Sequence, residues 1–228
     1  MSAITAAETS AHFTVYAVAS PNPVKVLIAL EELGFTKDKD YNVVYIKFRE
    51  NQQKQPWFTA LNPNGKVPVL TDHRNGDFHV FESGAILQYL TKKYDPEHKL
   101  YPAPSEDLKK ESEVDQWLMF QMAGIGPMLG QHEHFYNYAP VQVEYAKQRY
   151  NNEARRLLEV VDKHLEGKEW LAAGQYSIAD IATIGWLRLA KEWGYPVDGL
   201  ENLAKWIERV ASRPAVQRGV ANLPRPQA

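Results

Sequence analysis

Asn62-Pro63-Asn64-Gly65-Lys66-Val67-Pro68-Val69-Leu70, NPNGKVPVL, places a proline where a buried strand should begin. Val67, Val69 and Leu70 have the apolar, β-branched character of a core strand. Pro68, however, carries no N–H for a ladder hydrogen bond and belongs at a strand start, an edge or a bulge. An X-Pro bond is also the one setting in which a cis peptide is common enough to expect. A cis Val67–Pro68 bond would turn the Val67 N–H and C=O away from the sheet, leaving them to pair with an extended, peptide-like ligand that adds a short strand. The alternative at this point is an edge proline that suits the turn and nothing more.

The surrounding sequence supplies the rest of a small sheet. Over His12–Val18, Phe13, Val15 and Ala17 alternate with Thr14 and Tyr16, the period of a half-buried strand. SPNPVKVLIALEELG, Ser20–Gly34, predicts a helix with Pro23 as its first position, an inner face of Val24, Leu27 and Ile28, and Gly34 as its stop. Asn42–Lys47 is β-branched and aromatic, and a right-handed crossover would make it parallel to the first strand. Val67–Thr71 and Asp77–Phe81 flank Asn75-Gly76, a hairpin signal. ESGAILQYLTKKY, Glu82–Tyr94, then sets Ile86, Leu87, Leu90 and Tyr94 on one helical face. The order is βαβ-ββα.

Beyond Asp95–Ser105, with Pro96, Pro102 and Pro104, the pattern becomes helical. Ala154, Leu157, Leu158, Val161 and Leu165 form one stripe, and Leu203, Trp206, Ile207 and Val210 another. Tyr176-Ser177-Ile178-Ala179-Asp180-Ile181 reads as a capping box of Ser177 and Asp180, with Tyr176 and Ile181 as a hydrophobic staple. The expected organisation is a flexible tail over residues 1–11, an α/β domain over 12–94, a linker over 95–105 and an all-α helical bundle over 106–228.

Composition removes several functions. With 26 Lys and Arg against 28 Asp and Glu, the formal net charge is −2, so no global field favours nucleic acid or an anionic membrane. The absence of cysteine excludes disulfides, thiolate zinc sites and any mechanism using a protein thiol. Sulfur chemistry here must use another molecule's sulfur. Met1–Ser10 has no basic stretch leading into an apolar run, and no span of about 18 apolar residues occurs, so a cytoplasmic protein is expected. His132 and His134, at i and i+2 without converging carboxylates, do not form a metal-ligand pattern, and no metal is expected.

NPNGKVPVL followed by Glu82-Ser83-Gly84-Ala85-Ile86 resembles the glutathione-binding half of a glutathione transferase, over roughly residues 12–225. SPNPVKVLIALEELG and WLMFQMAGIGPMLGQHEHF resemble the bacterial nu-class enzymes and the fungal branch related to the yeast nitrogen regulator. The resemblance implies a thioredoxin-like first domain with a cis proline at Pro68, a helical second domain, and glutathione as substrate. It implies that Val67 pairs with glutathione's cysteine through main chain. Glu82 would take the γ-glutamyl ammonium, and Ser83 the carboxylate at a helix N-terminus. The local reading of Ser83 is a helix start, and the two uses coexist. Gln53 or Lys66 would hold the glycine carboxylate, and Arg149 would approach the carboxylates from the helical domain. Asn22, with Ser20 in reserve, would stabilise the thiolate; an asparagine before Pro23 is otherwise a helix cap. Met119, Met122 and Phe135 would line a pocket for an apolar electrophile, a disulfide or a peroxide, although such residues at helical spacing also build cores. The implied activity is conjugation or disulfide or peroxide reduction by a homodimer. A non-catalytic glutathione binder and a regulatory interaction protein are the alternatives.

Overall fold

The computed structural model describes residues 11–103 and 108–224, so most of the expected tail, and Pro104 and Ser105 of the expected linker, lie outside the described residues. Of these, residues up to Tyr89 together with Arg218–Pro224 form one compact unit, and Leu90–Gln217 form another.

The first unit is built on four strands. They are β1 (Phe13–Ala17), β2 (Tyr41–Tyr45), β3 (Val69–Asp72) and β4 (Phe78–Phe81), in the order β2-β1-β3-β4. β1 and β2 run parallel, as the crossover requires; β3 is antiparallel to β1 and to β4. The expected thioredoxin-like α/β arrangement is therefore present. Phe13, Val15 and Ala17 are fully buried, as alternation requires. The connection between β3 and β4 is longer than a two-residue hairpin: a 3-10 turn spans His73–Asn75, with the Asp72 carboxylate accepting from the Arg74 amide. Positive φ falls at Gly76 and Asp77 rather than at Asn75 and Gly76.

α1 (Pro21–Glu32) begins two residues earlier than expected, with Ser20 at the N-cap position. Its residues from Pro23 to Glu31 are all buried, so it is covered on more than one face. Part of that cover comes from the chain end. Arg218 Nε and Asn222 Nδ2 donate to Glu31 at 2.7 and 2.9 Å, and Tyr41 donates to the same carboxylate at 2.8 Å. A Cβ at Gly219 would lie 2.8 Å from the Ile28 backbone, which explains a glycine at this contact. These bonds place the segment from Arg218 in the first unit, whereas the sequence reading assigned it to the helical domain. A short α2 (Pro56–Thr59) precedes β3, and α3 (Ser83–Tyr94) follows β4.

The second unit is helical, as expected: α4 (Leu108–Phe120), α5 (Gly126–Glu133), α6 (Glu144–His164), α7 (Ile178–Leu187), α8 (Glu201–Ala211) and α9 (Pro214–Ala221), the last running on into the first unit. The predicted α6 stripe of Ala154, Leu157, Leu158, Val161 and Leu165 is buried, as are Leu203, Trp206 and Val210 on α8. The capping box forms: Asp180 accepts from the Ser177 amide at 3.0 Å, and Ser177 Oγ from the Ala179 amide. Asp180 also receives the Trp206 indole N–H at 2.8 Å and the Leu171 amide at 3.1 Å. Residues of the expected linker pack into this unit, where Asp95 takes the amides of Lys99 and Leu100 and the Leu100 carbonyl accepts from Ile178. No helix among the described residues is long and apolar enough to cross a membrane.

Candidate functional site

Strand register brings the predicted residues of the first unit to one end of its sheet. Val69 pairs with Phe81 and with Tyr16. The β3–β4 pairing ends there, so Val67–Pro68 immediately precedes and Glu82–Ser83 immediately follows the same end of the ladder. β1 ends at this same edge and leads through Ser20 into α1, and Tyr45 of β2 pairs with Ala17 there before the chain enters the loop carrying Gln53. Ser20, Asn22, Gln53, Lys66, Val67, Pro68, Glu82 and Ser83 thus sit on segments that leave the sheet at one end.

The Val67–Pro68 bond is cis. The Val67 side chain packs on the buried cluster of Ile46, Phe58 and Val69. Among the described residues, neither its N–H nor its carbonyl has a hydrogen-bond partner. A donor and an acceptor on one residue are the pair that an added strand requires.

The loop before Val67 is held by Asn62, a residue to which sequence reasoning gave no role. It is buried, its Nδ2 donates to the Lys66 carbonyl at 2.7 Å, and its Oδ1 accepts from the Asn64 amide at 2.9 Å. The signal was present, since asparagine at a turn start bonds to the backbone two residues on. Gly65 at φ +61° closes the turn onto the Asn62 carbonyl and lies against the Gln53 carbonyl, where a Cβ would come within 2.6 Å. This contact joins the Gln53 loop to the Val67 loop. In the same loop Gln52 accepts from the Lys47 amide and donates to Glu50, while Gln53 Oε1 is buried without a partner. Lys66 is exposed.

At the third segment, Glu82 adopts φ +67° and is exposed, and its carbonyl accepts the Ile86 amide that opens α3. A non-glycine residue in this conformation costs about 1–3 kcal/mol and tends to persist at functional sites. Ser83 follows, 2% exposed, with its hydroxyl 3.3 Å from Lys25 Nζ. Lys25 is fully buried, and burial pulls its pKa down to about 7 against the field of Glu82. Sequence reasoning missed Lys25, because a lysine in an amphipathic helix reads as solvent-facing.

The α1 N-terminus departs from a generic anion site. Of its four leading residues, Ser20-Pro21-Asn22-Pro23, two have no N–H, so Asn22 is the one residue of the first turn with a backbone donor. Asn22 is the second helical residue and not the cap. The Ser20 hydroxyl makes no capping bond. Tyr16 lies in mid-strand, with its phenol raised in pKa, first by burial.

In the helical unit, Arg149, Tyr145 and Tyr150 of α6 line a cavity of about 530 Å³ with Met128. Phe135 stacks on Tyr150 at 5.4 Å. Met119 is half exposed, and neither it nor Met122 lines this cavity. Gly126 and Gly130 serve close packing, since Cβ atoms there would meet Gln121 Nε2 at 2.9 Å and the Trp186 ring at 3.2 Å. His132 is buried, stacked on Tyr136 at 4.2 Å, while His134 is exposed; no three His, Asp or Glu side chains among the described residues converge as metal donors.

Residues 11–92 match the glutathione S-transferase N-terminal domain and residues 118–214 the C-terminal domain. The Escherichia coli disulfide-bond oxidoreductase YghU is 39% identical over 216 residues, spanning 90% of this chain and 72% of that protein. The Phanerochaete chrysosporium glutathione transferase URE2P8, solved with oxidized glutathione, superposes with a TM-score of 0.86 at 34% identity, covering 93% of this chain and 95% of that one. The nitrogen regulation fragment of the yeast prion protein Ure2p gives a TM-score of 0.86 at 31% identity over 94% and 98% of the two chains. The chain belongs to the glutathione S-transferase family, with Ure2p and YghU among its relatives.

Proposed function

We propose that this chain binds glutathione at the sheet end formed by Val67, Glu82 and Ser83 and uses its sulfur as a thiolate toward an electrophile or a disulfide. The observation that carries this reading is the unpaired N–H and C=O of Val67, just before the β3 end that pairs with the β4 end leading into α3. Val67 pairs with the cysteinyl residue of glutathione. The Glu82 carboxylate takes its ammonium, the Ser83 hydroxyl and amide take the neighbouring carboxylate, and Gln53 with Lys66 hold the glycine end. Asn22 donates to the sulfur, with Ser20 as the alternative donor. Bringing a thiol of pKa about 8.5 down by two units needs roughly 2.7 kcal/mol of preference for the anion, within reach of an amide donor and a helix N-terminus together.

The lack of cysteine fixes the electron balance of disulfide chemistry. One bound glutathione thiolate attacks a substrate sulfur, the S–S bond breaks, and a substrate thiolate leaves. A second glutathione must then attack the mixed disulfide, so two glutathiones supply both electrons and glutathione disulfide is released. Conjugation consumes one glutathione and expels one leaving group. The similarity to a disulfide-bond oxidoreductase and to a transferase solved with oxidized glutathione supports the first route.

Turnover of a small symmetric disulfide, a hydroperoxide and an aryl halide, each with glutathione, tests the reading. Disulfide reduction with two glutathiones consumed per disulfide is the expected result. Binding of glutathione with none of the three turned over would overturn it.

A further inference from the structure

β2 is one of the two edges of the sheet, and its main-chain groups can be accounted for one by one. The Phe13 amide donates to the Asp40 carbonyl at 3.1 Å and the Ile46 amide to the Ala17 carbonyl at 3.0 Å, so the even-numbered residues of this stretch face β1. In the ladder the residues between them face away. Those are Tyr41, Val43, Tyr45 and Lys47. The outer two are satisfied by the chain itself: Tyr41 donates to the Thr36 carbonyl and accepts from the Asp38 amide, while Lys47 donates to Gln52 Oε1 and accepts from the Glu50 amide. Val43 and Tyr45, both half-buried, have no partner for their outward N–H and C=O among the described residues. Two donors and two acceptors stand open in a window that a turn closes at each end.

Val43 and Tyr45 line a cavity of about 1170 Å³ together with Val18 and Ala19, just after β1, and the returning segment Ala221–Pro224. It exceeds the usual small-molecule cleft of about 300–1,000 Å³, which favours a length of chain as occupant. Its charge says which chain. Lys37, Lys47 and Arg49 line it against a single carboxylate, Glu50. Lys47 pairs with Glu50 at 3.0 Å and Lys37 with Asp38 at 3.0 Å, whereas Arg49 has no hydrogen bond or ion pair among the described residues. Beside Arg49, Phe48 is 44% exposed and offers an apolar contact to one side chain of an added strand. We propose that the β2 edge between Tyr41 and Lys47 docks an extended acidic segment of another protein, which adds a strand by pairing with Val43 and Tyr45 and sets a carboxylate on Arg49. A second copy of this chain fits less well, because it would bring the same excess of cations to the groove. The inference does not depend on where glutathione binds.

Panning a displayed library of random short peptides against the full chain, with glutathione present in excess, tests this. The selected peptides are expected to combine Asp or Glu with β-branched residues, and to bind about tenfold more weakly to Val43→Pro and to Arg49→Glu. Both variants should keep the wild-type melting temperature and glutathione affinity, since proline at position 43 removes only an outward N–H and edge strands tolerate it. N-methylation of a selected peptide, one amide at a time, should weaken binding at every second residue and spare those between, a pattern that apolar or purely ionic docking does not produce. That pattern is read on the wild-type protein and decides the matter even if Val43→Pro does not fold. Failure to select any peptide, unchanged binding in either folded variant, or an even response to N-methylation overturns the proposal. So does self-association of the wild-type chain in sedimentation that Val43→Pro abolishes, which would give the edge to a second copy.

Discussion

Gly65 is where the fold and the candidate site can be tested by one methyl group. Its φ of +61° matches the +66° of Gly76, so alanine pays the same left-handed penalty at each, about 1–2 kcal/mol. Their surroundings differ. A Cβ at Gly76 meets nothing within 4 Å, whereas at Gly65 it falls 2.6 Å from the Gln53 carbonyl and 3.0 Å from Lys54 Nζ. The lysine end can swing away; the carbonyl can yield only if the Gln53 loop or the Asn62–Lys66 turn moves. Overpacking of this kind adds about 1–3 kcal/mol, and a chain of this length loses roughly 2–4 °C of melting temperature per kcal/mol. Gly65→Ala is therefore expected to melt several degrees below Gly76→Ala. The displacement separates Gln53 from Val67, so its glutathione dissociation constant should rise as well, while that of Gly76→Ala stays at the wild-type value. Thermal unfolding and calorimetric titration of the two variants side by side provide the measurement. Equal melting temperatures with equal affinities would refute the claim that the Gly65–Gln53 contact sets the two loops against each other.

Three further outcomes are expected. Asn22→Ala raises the apparent pKa of bound glutathione by one to two units, about 1.4–2.7 kcal/mol, with little change in affinity; titrating the ultraviolet thiolate absorbance checks this, and an unmoved pKa assigns activation elsewhere, with Ser20→Ala as the next variant. Glu82→Ala and Ser83→Ala each weaken glutathione about tenfold to a hundredfold, the worth of a charged hydrogen bond; an unchanged dissociation constant removes that residue from the site. Asp180→Ala leaves the Trp206 indole and the Leu171 amide buried without their acceptor, at about 1–3 kcal/mol each; urea unfolding followed by tryptophan fluorescence should show a loss of several kcal/mol with glutathione affinity retained.

What could be read in the sequence is what local rules decide. The α6 stripe and the Ser177–Asp180 capping box are set within a few residues and form as read, while on α8 Leu203, Trp206 and Val210 are buried and Ile207 only partly so. Asn75-Gly76 also announces a turn, but the Asp72 side chain captures the Arg74 amide and shifts the positive-φ pair one residue on. The features that escaped reading are long-range. Arg218 reaches Glu31 across 187 positions, and this return of the chain end helps enclose α1. Lys25, an apparent surface lysine in the sequence, is fully buried 3.3 Å from the Ser83 hydroxyl, 58 positions away.

The two prolines around Asn22 show how a small boundary shift changes the chemistry. With Pro23 as the first helical residue, Asn22 would be a cap, its side chain serving the helix. With Pro21 first, Asn22 lies inside the first turn, and Pro21 and Pro23 remove two of the amides through which a helix end ordinarily binds an anion. Stabilisation of a thiolate there must then come from Asn22 more than from the helix end in general. Because Asn22→Ala keeps the backbone N–H and the helix dipole while deleting the side-chain amide, the shift it produces in the thiol pKa isolates the amide's share. A shift much smaller than one unit would mean that the Asn22 side chain is not the activating donor, leaving Ser20 or the main chain to supply it.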